Sequence, residues 1–136
     1  MTKEILGVFI DSYGTHKAEV RTVPDRAEQY NALLTCEYID IPRVMIDGVE
    51  YDVIADDEGI YRNGREPHPA IVDKNGKPLI FGPVFICRGN DSTGTEEPLT
   101  PEDVTRIFNN ILHKRIVWDQ SGNTVDLDIL FNAVQV

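Results

Sequence analysis

Three consecutive acidic residues in the stretch ADDEGIYRNG are the first candidates for chemistry in this chain of 136 residues. Carboxylates such as those of Asp56, Asp57 and Glu58 bind metal ions and exchange protons. A hydrolytic metal site, however, needs carboxylates that converge from different elements, and adjacent side chains point in different directions. We therefore favour a solvated turn in which Gly59 supplies a positive φ. A metal-dependent hydrolase built on these three residues is the least favoured function.

The other residue types that could act as nucleophiles or metal ligands are isolated. His16, His68 and His113 are far apart, and no H-E-x-x-H pattern occurs. Cys36 and Cys87 lack a C-x-x-C partner, which favours two small buried thiols over a disulfide or a zinc site. The sequence also has no G-x-S-x-G elbow, P-loop or dinucleotide fingerprint. We predict no catalytic residue, no metal and no cofactor, and hence a non-enzymatic protein.

A wider acidic segment surrounds the first turn. Eight acidic residues and one basic residue lie between Cys36 and Gly59. On a strand, Glu50 and Asp52 share one face, and Asp40 would lie beside them if the strands pair. Such a surface could receive a basic partner protein, or imitate DNA phosphates toward a nucleic-acid-binding protein. The simpler alternative is the solvated outer face of a half-exposed sheet. The residues predicted to bind a partner, named the acidic strip, are Asp40, Glu50, Asp52, Asp56, Asp57 and Glu58.

A basic loop, YRNGREPHP, follows the acidic strip and suggests a second function. Its guanidinium groups could hold phosphate and its aromatic ring could stack on a base. The alternative function is therefore a small-molecule binding protein, or a sponge, for a nucleotide-like ligand. A mobile surface loop is the simpler interpretation. The residues of this predicted ligand site are Tyr61, Arg62, Arg65, His68 and Arg88.

Charge and hydropathy limit the partners of the protein. A formal net charge of -10 argues against direct binding to nucleic acid or to an anionic membrane. No apolar run approaches the ~20 residues of a membrane span, and the N-terminal stretch does not read as a signal peptide. We expect a soluble cytoplasmic protein. A homo-oligomer stays open, because exposed strand edges near Pro42 or at the last strand could pair across a two-fold axis.

The elements that must position these residues are mostly short strands. Apolar alternation predicts an N-terminal hairpin over residues 4–23, and Asp47-Gly48 predicts a second hairpin. GPVFICRG is the most apolar run and indicates a central strand. Two helices are predicted, at about 25–35 with Asp25 as N-cap and at 101–114 with Thr100 as N-cap. Tight turns between strands favour a single α+β domain with a mainly antiparallel sheet and two helices packed on it.

Several motifs also occur in a suggestive order. DDEG follows a strand, FGPVFICRGND forms a glycine-led apolar strand, and EPLTPEDVTRIF begins a capped helix. In this order the chain resembles an uncharacterised family, a domain of unknown function, of short proteins encoded by phages, plasmids and related bacterial mobile elements. The resemblance covers about residues 5–112, and residues 115–136 look like a hairpin extension. It implies a mobile-element setting, in which small proteins often act by binding, including as antagonists of host defence.

Overall fold

Short strands joined by turns make up most of the protein. The computed structural model describes residues 3–12, 14–58, 69–90, 92–117 and 120–136. These residues form two helices, α1 (Ala27–Leu34) and α2 (Pro101–Asn109). Their strands are β1 (Glu4–Ile10), β2 (Ala18–Pro24), β3 (Ile39–Asp40), β4 (Arg43–Ile46), β5 (Val49–Asp56), β6 (Pro69–Val72), β7 (Pro78–Phe81), β8 (Val84–Asn90), β9 (Thr95–Glu97), β10 (Ile111–Val117), β11 (Thr124–Leu130) and β12 (Val134–Gln135).

The strands form two sheets. The larger has the order β12-β4-β5-β8-β1-β2, with β3 added to β5 and β9 added to β8; the smaller has the order β10-β11-β6-β7. All pairs are antiparallel except β11 with β6. This confirms the predicted single α+β domain with a mainly antiparallel sheet. As predicted, β8 is central, with Val84–Cys87 fully buried between β5 and β1.

Two apolar cores lie on the two faces of the larger sheet. The main core contains Tyr51 of β5, Ile71 of β6 and Leu130 of β11, so side chains of both sheets meet in it. The second core contains Ile54 of β5 and Tyr30 of α1. Strand β5 is therefore covered on both faces and is buried from Tyr51 onward. The half-exposed strand of the simpler interpretation is therefore not found from Tyr51 onward, whereas Asp40, Glu50, Asp57 and Glu58 of the acidic strip are exposed to solvent.

The predicted turn at Asp47-Gly48 is present. Asp47 and Gly48 have φ values of 51° and 79°, and a two-residue hairpin turn of this kind needs positive φ at both positions. The β1–β2 hairpin forms as predicted. Pro42 separates β3 from β4, which then pair side by side with β5. The turn in residues 92–94 leads into β9, which pairs with β8.

Helix α1 is shorter than predicted, and its N-cap differs. The cap residue is Arg26, without a side-chain cap hydrogen bond. Asp25, the predicted N-cap, accepts a hydrogen bond of 2.8 Å from the hydroxyl of Tyr30. That hydrogen bond orients a buried tyrosine within the second core, and it uses the carboxylate that would otherwise cap the helix.

Helix α2 begins as predicted and ends early. The Thr100 side chain accepts from the backbone N–H of Asp103 and the Asp103 side chain accepts from that of Thr100, a complete capping box. The helix ends at Asn109, not at 114, because residues 111–117 pair with β11. Asn110 also donates to the backbone oxygen of Arg106 at 2.9 Å. Ile107 is buried in the main core, whereas Phe108 is exposed and His113 lies on a strand.

The last hairpin is present and starts at residue 111, earlier than the predicted 115. Strand β11 pairs with β6 in the smaller sheet, and β12 pairs with β4 in the larger sheet. Residues beyond 112 thus take part in both sheets. Neither of the two described helices is long and apolar enough to cross a membrane.

Candidate functional site

The acidic strip divides between the two faces of β5. Asp40 pairs directly with Ala55, and Arg43 pairs directly with Asp52 in the same register. Directly paired residues point to the same face of a sheet, and neighbours along a strand point to opposite faces. Asp40 therefore shares a face with Ala55 and not with Asp52. The prediction that Asp40 lies beside Glu50 and Asp52 is wrong, although the strands do pair.

Glu50 and Asp52 both form ion pairs with Arg43, which lies on the neighbouring strand β4. Arg43 Nε lies 3.0 Å from Asp52 Oδ1, and Arg43 Nη1 lies 3.5 Å from Glu50 Oε2. The Asp52 side chain is only 12% exposed. A partner protein would have to compete with Arg43 for both carboxylates, so these two residues of the acidic strip offer little charge to a partner.

Three other residues of the acidic strip, Asp40, Asp56 and Asp57, line a cavity of about 330 Å³, and Glu58 lies in the adjoining turn. Asp56 is buried and accepts a hydrogen bond of 2.9 Å from the backbone N–H of Glu58. The backbone N–H of Asp57 donates to the oxygen of Tyr38 at 3.1 Å. These bonds fix residues 57–58 in a turn after β5; Gly59, which we predicted to supply a positive φ, lies outside the described residues. We name this cavity the acid-rimmed pocket; its lining is Asp40, Pro42, Val44, Ala55, Asp56, Asp57, Leu79, Ile80, Phe81 and Gln135.

Exposed apolar side chains lie beside the acid-rimmed pocket. Tyr38 is 64% exposed and Ile41 is 42% exposed, on the segment that carries β3. Within the described part of the chain, Asp40, Asp57 and Glu58 have no ion-pair partner. Unpaired carboxylates and exposed apolar groups thus occupy one edge of the larger sheet.

On the α1 face of the larger sheet, Asp52 contacts a second carboxyl group that the sequence analysis missed. Glu96 of β9 hydrogen-bonds to Asp52, and the thiol of Cys87 donates to Glu96 Oε2 at 3.4 Å. Burial, together with the hydrogen bond and the charge of Asp52, raises the pKa of Glu96 to about 7. Near neutral pH, Glu96 is therefore a proton donor and acceptor within the fold.

Gly89 leaves room for this carboxyl pair. A Cβ atom added at Gly89 would lie 2.3 Å from Asp52 Oδ2, far inside van der Waals contact. The glycine at this position of β8 thus permits the close approach of the Asp52 carboxylate.

Neither Cys36 nor Cys87 forms a disulfide in the described part of the chain. Cys87 is buried, but Cys36 is only partly buried, so the prediction of two buried thiols is half right. Burial, followed by the charge of Glu96, raises the pKa of the Cys87 thiol. A thiol held in its protonated form is a poor nucleophile, which argues against chemistry at Cys87.

The opposite face carries a cluster around the buried carboxylate of Asp103. Oδ1 accepts from the Tyr51 hydroxyl at 2.7 Å and lies 3.1 Å from Arg88 Nη1 and 3.0 Å from Arg106 Nη1. Burial opposes ionisation of Asp103, but hydrogen bonds from Thr100 and Tyr51 and the charge of Arg88 outweigh it, so the pKa of Asp103 is lowered. Asp103 is therefore an ionised anchor for two arginines.

Only one residue of the predicted ligand site lies in the described part of the chain. Tyr61, Arg62, Arg65 and His68 fall outside it, whereas Arg88 lies at the end of β8. Arg88 borders a cavity of about 530 Å³ between β8, β9 and α2. Among the described residues, no group of three His, Cys, Asp or Glu side chains could hold a metal ion.

Comparisons with known proteins identify a family but no function. No curated protein matches the chain, and no solved structure matches it. Residues 7–112 match the model of a family described as a domain of unknown function, DUF3846. This match covers most of the region in which the motif order suggested a family, and the chain belongs to the DUF3846 family.

Proposed function

We propose that this protein is a non-enzymatic binding protein whose acid-rimmed pocket receives a basic side chain of a partner protein. The observation that carries the proposal is the meeting of Asp40, Asp56 and Asp57 at a cavity with an apolar wall. A Lys or Arg side chain matches such a cavity, because its aliphatic stem suits the apolar wall and its charged head suits the carboxylates. Its stem would pack on Leu79 and Phe81 while its head meets the carboxylates.

The surroundings of the pocket support a protein partner. Tyr38 and Ile41 offer exposed apolar area beside the charges, and aromatic residues are enriched where proteins meet. The carboxylates of Asp40 and Asp57 have no ion-pair partner among the described residues, so a basic group need not displace an internal cation. The net charge of -10 would also speed the approach of a basic partner.

The negative net charge of the protein also limits the class of partner. A basic surface that normally contacts nucleic acid would suit the pocket, whereas nucleic acid itself and an anionic membrane would be repelled. The resemblance to proteins of phages, plasmids and related mobile elements supports action in the cytoplasm of a bacterial host. We extend the proposal to antagonism of a host defence protein, by analogy with small proteins in such settings.

A peptide of defined charge tests the pocket directly. The probe is a fluorescent peptide of alternating Arg and Gly, and the control peptide carries Gln in place of Arg. The site variant combines Asp40→Asn and Asp57→Asn in the pocket lining with Glu58→Gln in the adjoining turn, and it keeps Asp56, which holds that turn. We expect binding of the Arg peptide by fluorescence anisotropy and a loss of at least about tenfold in the site variant, or ~1.4 kcal/mol.

A matched variant separates the pocket from net charge. Glu4→Gln, Glu28→Gln and Glu102→Gln remove three exposed carboxylates elsewhere, so both triple variants change the net charge from -10 to -7. We expect the matched variant to lose less than about threefold in affinity, because scattered surface charges contribute little. Equal losses in the two variants would mean that net charge alone attracts the peptide, and the proposed pocket would be wrong.

The natural partner can then be sought with the same pair of variants. Wild-type protein and the two triple variants are each immobilised and exposed to a bacterial lysate. A partner of this pocket is retained by the matched variant and lost by the site variant. Partners retained equally by all three forms would oppose a role for the acid-rimmed pocket in their recognition.

A further inference from the structure

The cavity of about 530 Å³ beside Arg88 lies away from the acid-rimmed pocket and has a different chemistry. Arg88 of β8 and Arg106 of α2 both line it, and both form ion pairs with the buried carboxylate of Asp103. We infer that these two arginines form a binding site for a singly charged oxyanion group of a small ligand. Carboxylates and phosphodiesters share this chemistry.

The hydrogen bonds of Asp103 leave donors free on both arginines. Its Oδ1 accepts from Tyr51, Arg88 and Arg106, and its Oδ2 accepts from the backbone N–H and the hydroxyl of Thr100. In these bonds each guanidinium uses Nη1 alone. A guanidinium carries five N–H donors in a planar fork, so each retains donors that a bound oxyanion could use.

The two guanidinium groups are held in place before any ligand arrives. Arg106 Nη1 donates to the Tyr51 hydroxyl at 2.7 Å as well as to Asp103. The guanidinium carbon of Arg88 lies 5.6 Å from the centre of the Tyr51 ring, within the range of a cation–π contact. Because the two arginine side chains are already ordered, a bound ligand would restrict them little further, which lowers the entropic cost of binding.

Charge sets the class of ligand. One carboxylate between two guanidinium groups leaves a net charge of +1 for the Arg88–Asp103–Arg106 group. Glu97 and Glu102 line the same cavity, and Glu97 pairs with Lys3 at 3.1 Å. With Glu97, its partner Lys3 and Glu102 included, the cavity as a whole is neutral, so a multiply charged anion would be repelled, whereas a single negative charge can be held by the two guanidinium groups.

Proton NMR of the arginine Nε–H groups tests the site. Sodium acetate and sodium dimethyl phosphate are each titrated into the isotope-labelled protein at constant ionic strength. We expect saturable shifts of the Arg88 and Arg106 signals with at least one of the two salts. The salt that saturates at lower concentration then distinguishes a carboxylate from a phosphodiester ligand. Arg115, which pairs with Asp126 at 2.9 Å on the exposed hairpin, is the internal control.

Substitutions complete the test. Arg88→Gln should weaken binding at least about tenfold, since a hydrogen bond to a charged group is lost, and Arg115→Gln should leave it unchanged. If the amide spectrum of Arg88→Gln shows an unfolded chain, Arg88→Lys serves instead: it keeps the charge and lacks the planar fork. Unsaturated shifts of equal size at Arg88 and Arg115 with both salts would overturn the inference. Saturable binding that survives both Arg88 variants would do so as well.

Discussion

The carboxyl pair of Glu96 and Asp52 gives the sharpest prediction about stability. Burial and the neighbouring Asp52 raise the pKa of Glu96 from 4.5 to about 7. Between these two pH values the folded protein binds more protons than the unfolded chain, so its stability falls as pH rises. The stabilisation from protonated Glu96 is complete below pH 4.5 and is lost as pH passes through about 7.

The change Glu96→Gln removes this dependence. A glutamine amide can donate to Asp52 and accept from Cys87, as protonated Glu96 does. The pKa difference corresponds to roughly 3 kcal/mol, and partial exposure of Glu96 to solvent reduces this to about 1–2 kcal/mol. We therefore expect Glu96→Gln to exceed the wild type in unfolding free energy by about 1–2 kcal/mol at pH 8 and to equal it near pH 4.5.

Urea unfolding at a series of pH values measures the difference between variant and wild type. Glu97→Gln is the matched control, because Glu97 is the next residue and its carboxylate pairs with Lys3. That ion pair lowers the pKa of Glu97, so its substitution should bring no gain at pH 8. A stability difference for Glu96→Gln that stays constant from pH 5 to pH 8 would refute the assignment of the proton to Glu96.

Two further substitutions test the packing around the two polar clusters. Gly89→Ala places a Cβ 2.3 Å from Asp52 Oδ2 and should cost about 1–3 kcal/mol in urea unfolding. In an Asp52→Ala background the cost should fall, and an equal cost in both backgrounds would contradict the close approach. Tyr51→Phe removes one donor from buried Asp103 and should cost about 1–2 kcal/mol. Tyr38→Phe, at an exposed tyrosine, should stay within about 0.5 kcal/mol, and equal effects of the two changes would count against the Asp103 cluster.

Local signals in the sequence were sufficient for most of the fold. Asp47-Gly48 predicts its turn because few residues adopt positive φ at low cost. The apolar run at Val84–Cys87 predicts a central strand because only a strand buried on both faces is apolar throughout. Helix α2 was predicted too long, because the apolar positions after Asn109 also fit a strand, and the choice depends on pairing with β11, far along the chain.

The candidate sites were less predictable, because they depend on register and on contacts between distant segments. Alternation placed Glu50 and Asp52 on one face correctly, but only the pairing of Asp40 with Ala55 shows that Asp40 lies on the other. Glu96 was not among the predicted site residues, since nothing near it in the sequence shows that β9 brings it to Asp52. Gly89, a glycine within a strand, was the one signal in the sequence that another group approaches the backbone of β8 closely.

Strand β5 connects the three polar regions, and its alternation keeps them separate. Tyr51 contributes to the Asp103 cluster on one face, the next residue, Asp52, binds Glu96 on the other, and Asp56 ends the strand at the acid-rimmed pocket. A substitution at Glu96 should therefore alter the pH dependence of stability without changing the Arg88 site directly. Likewise, neutral variants at the pocket rim leave both buried clusters intact. Loss of peptide binding, of oxyanion binding and of the pH dependence can thus be assigned to three separate regions, each of which contacts a different residue of β5.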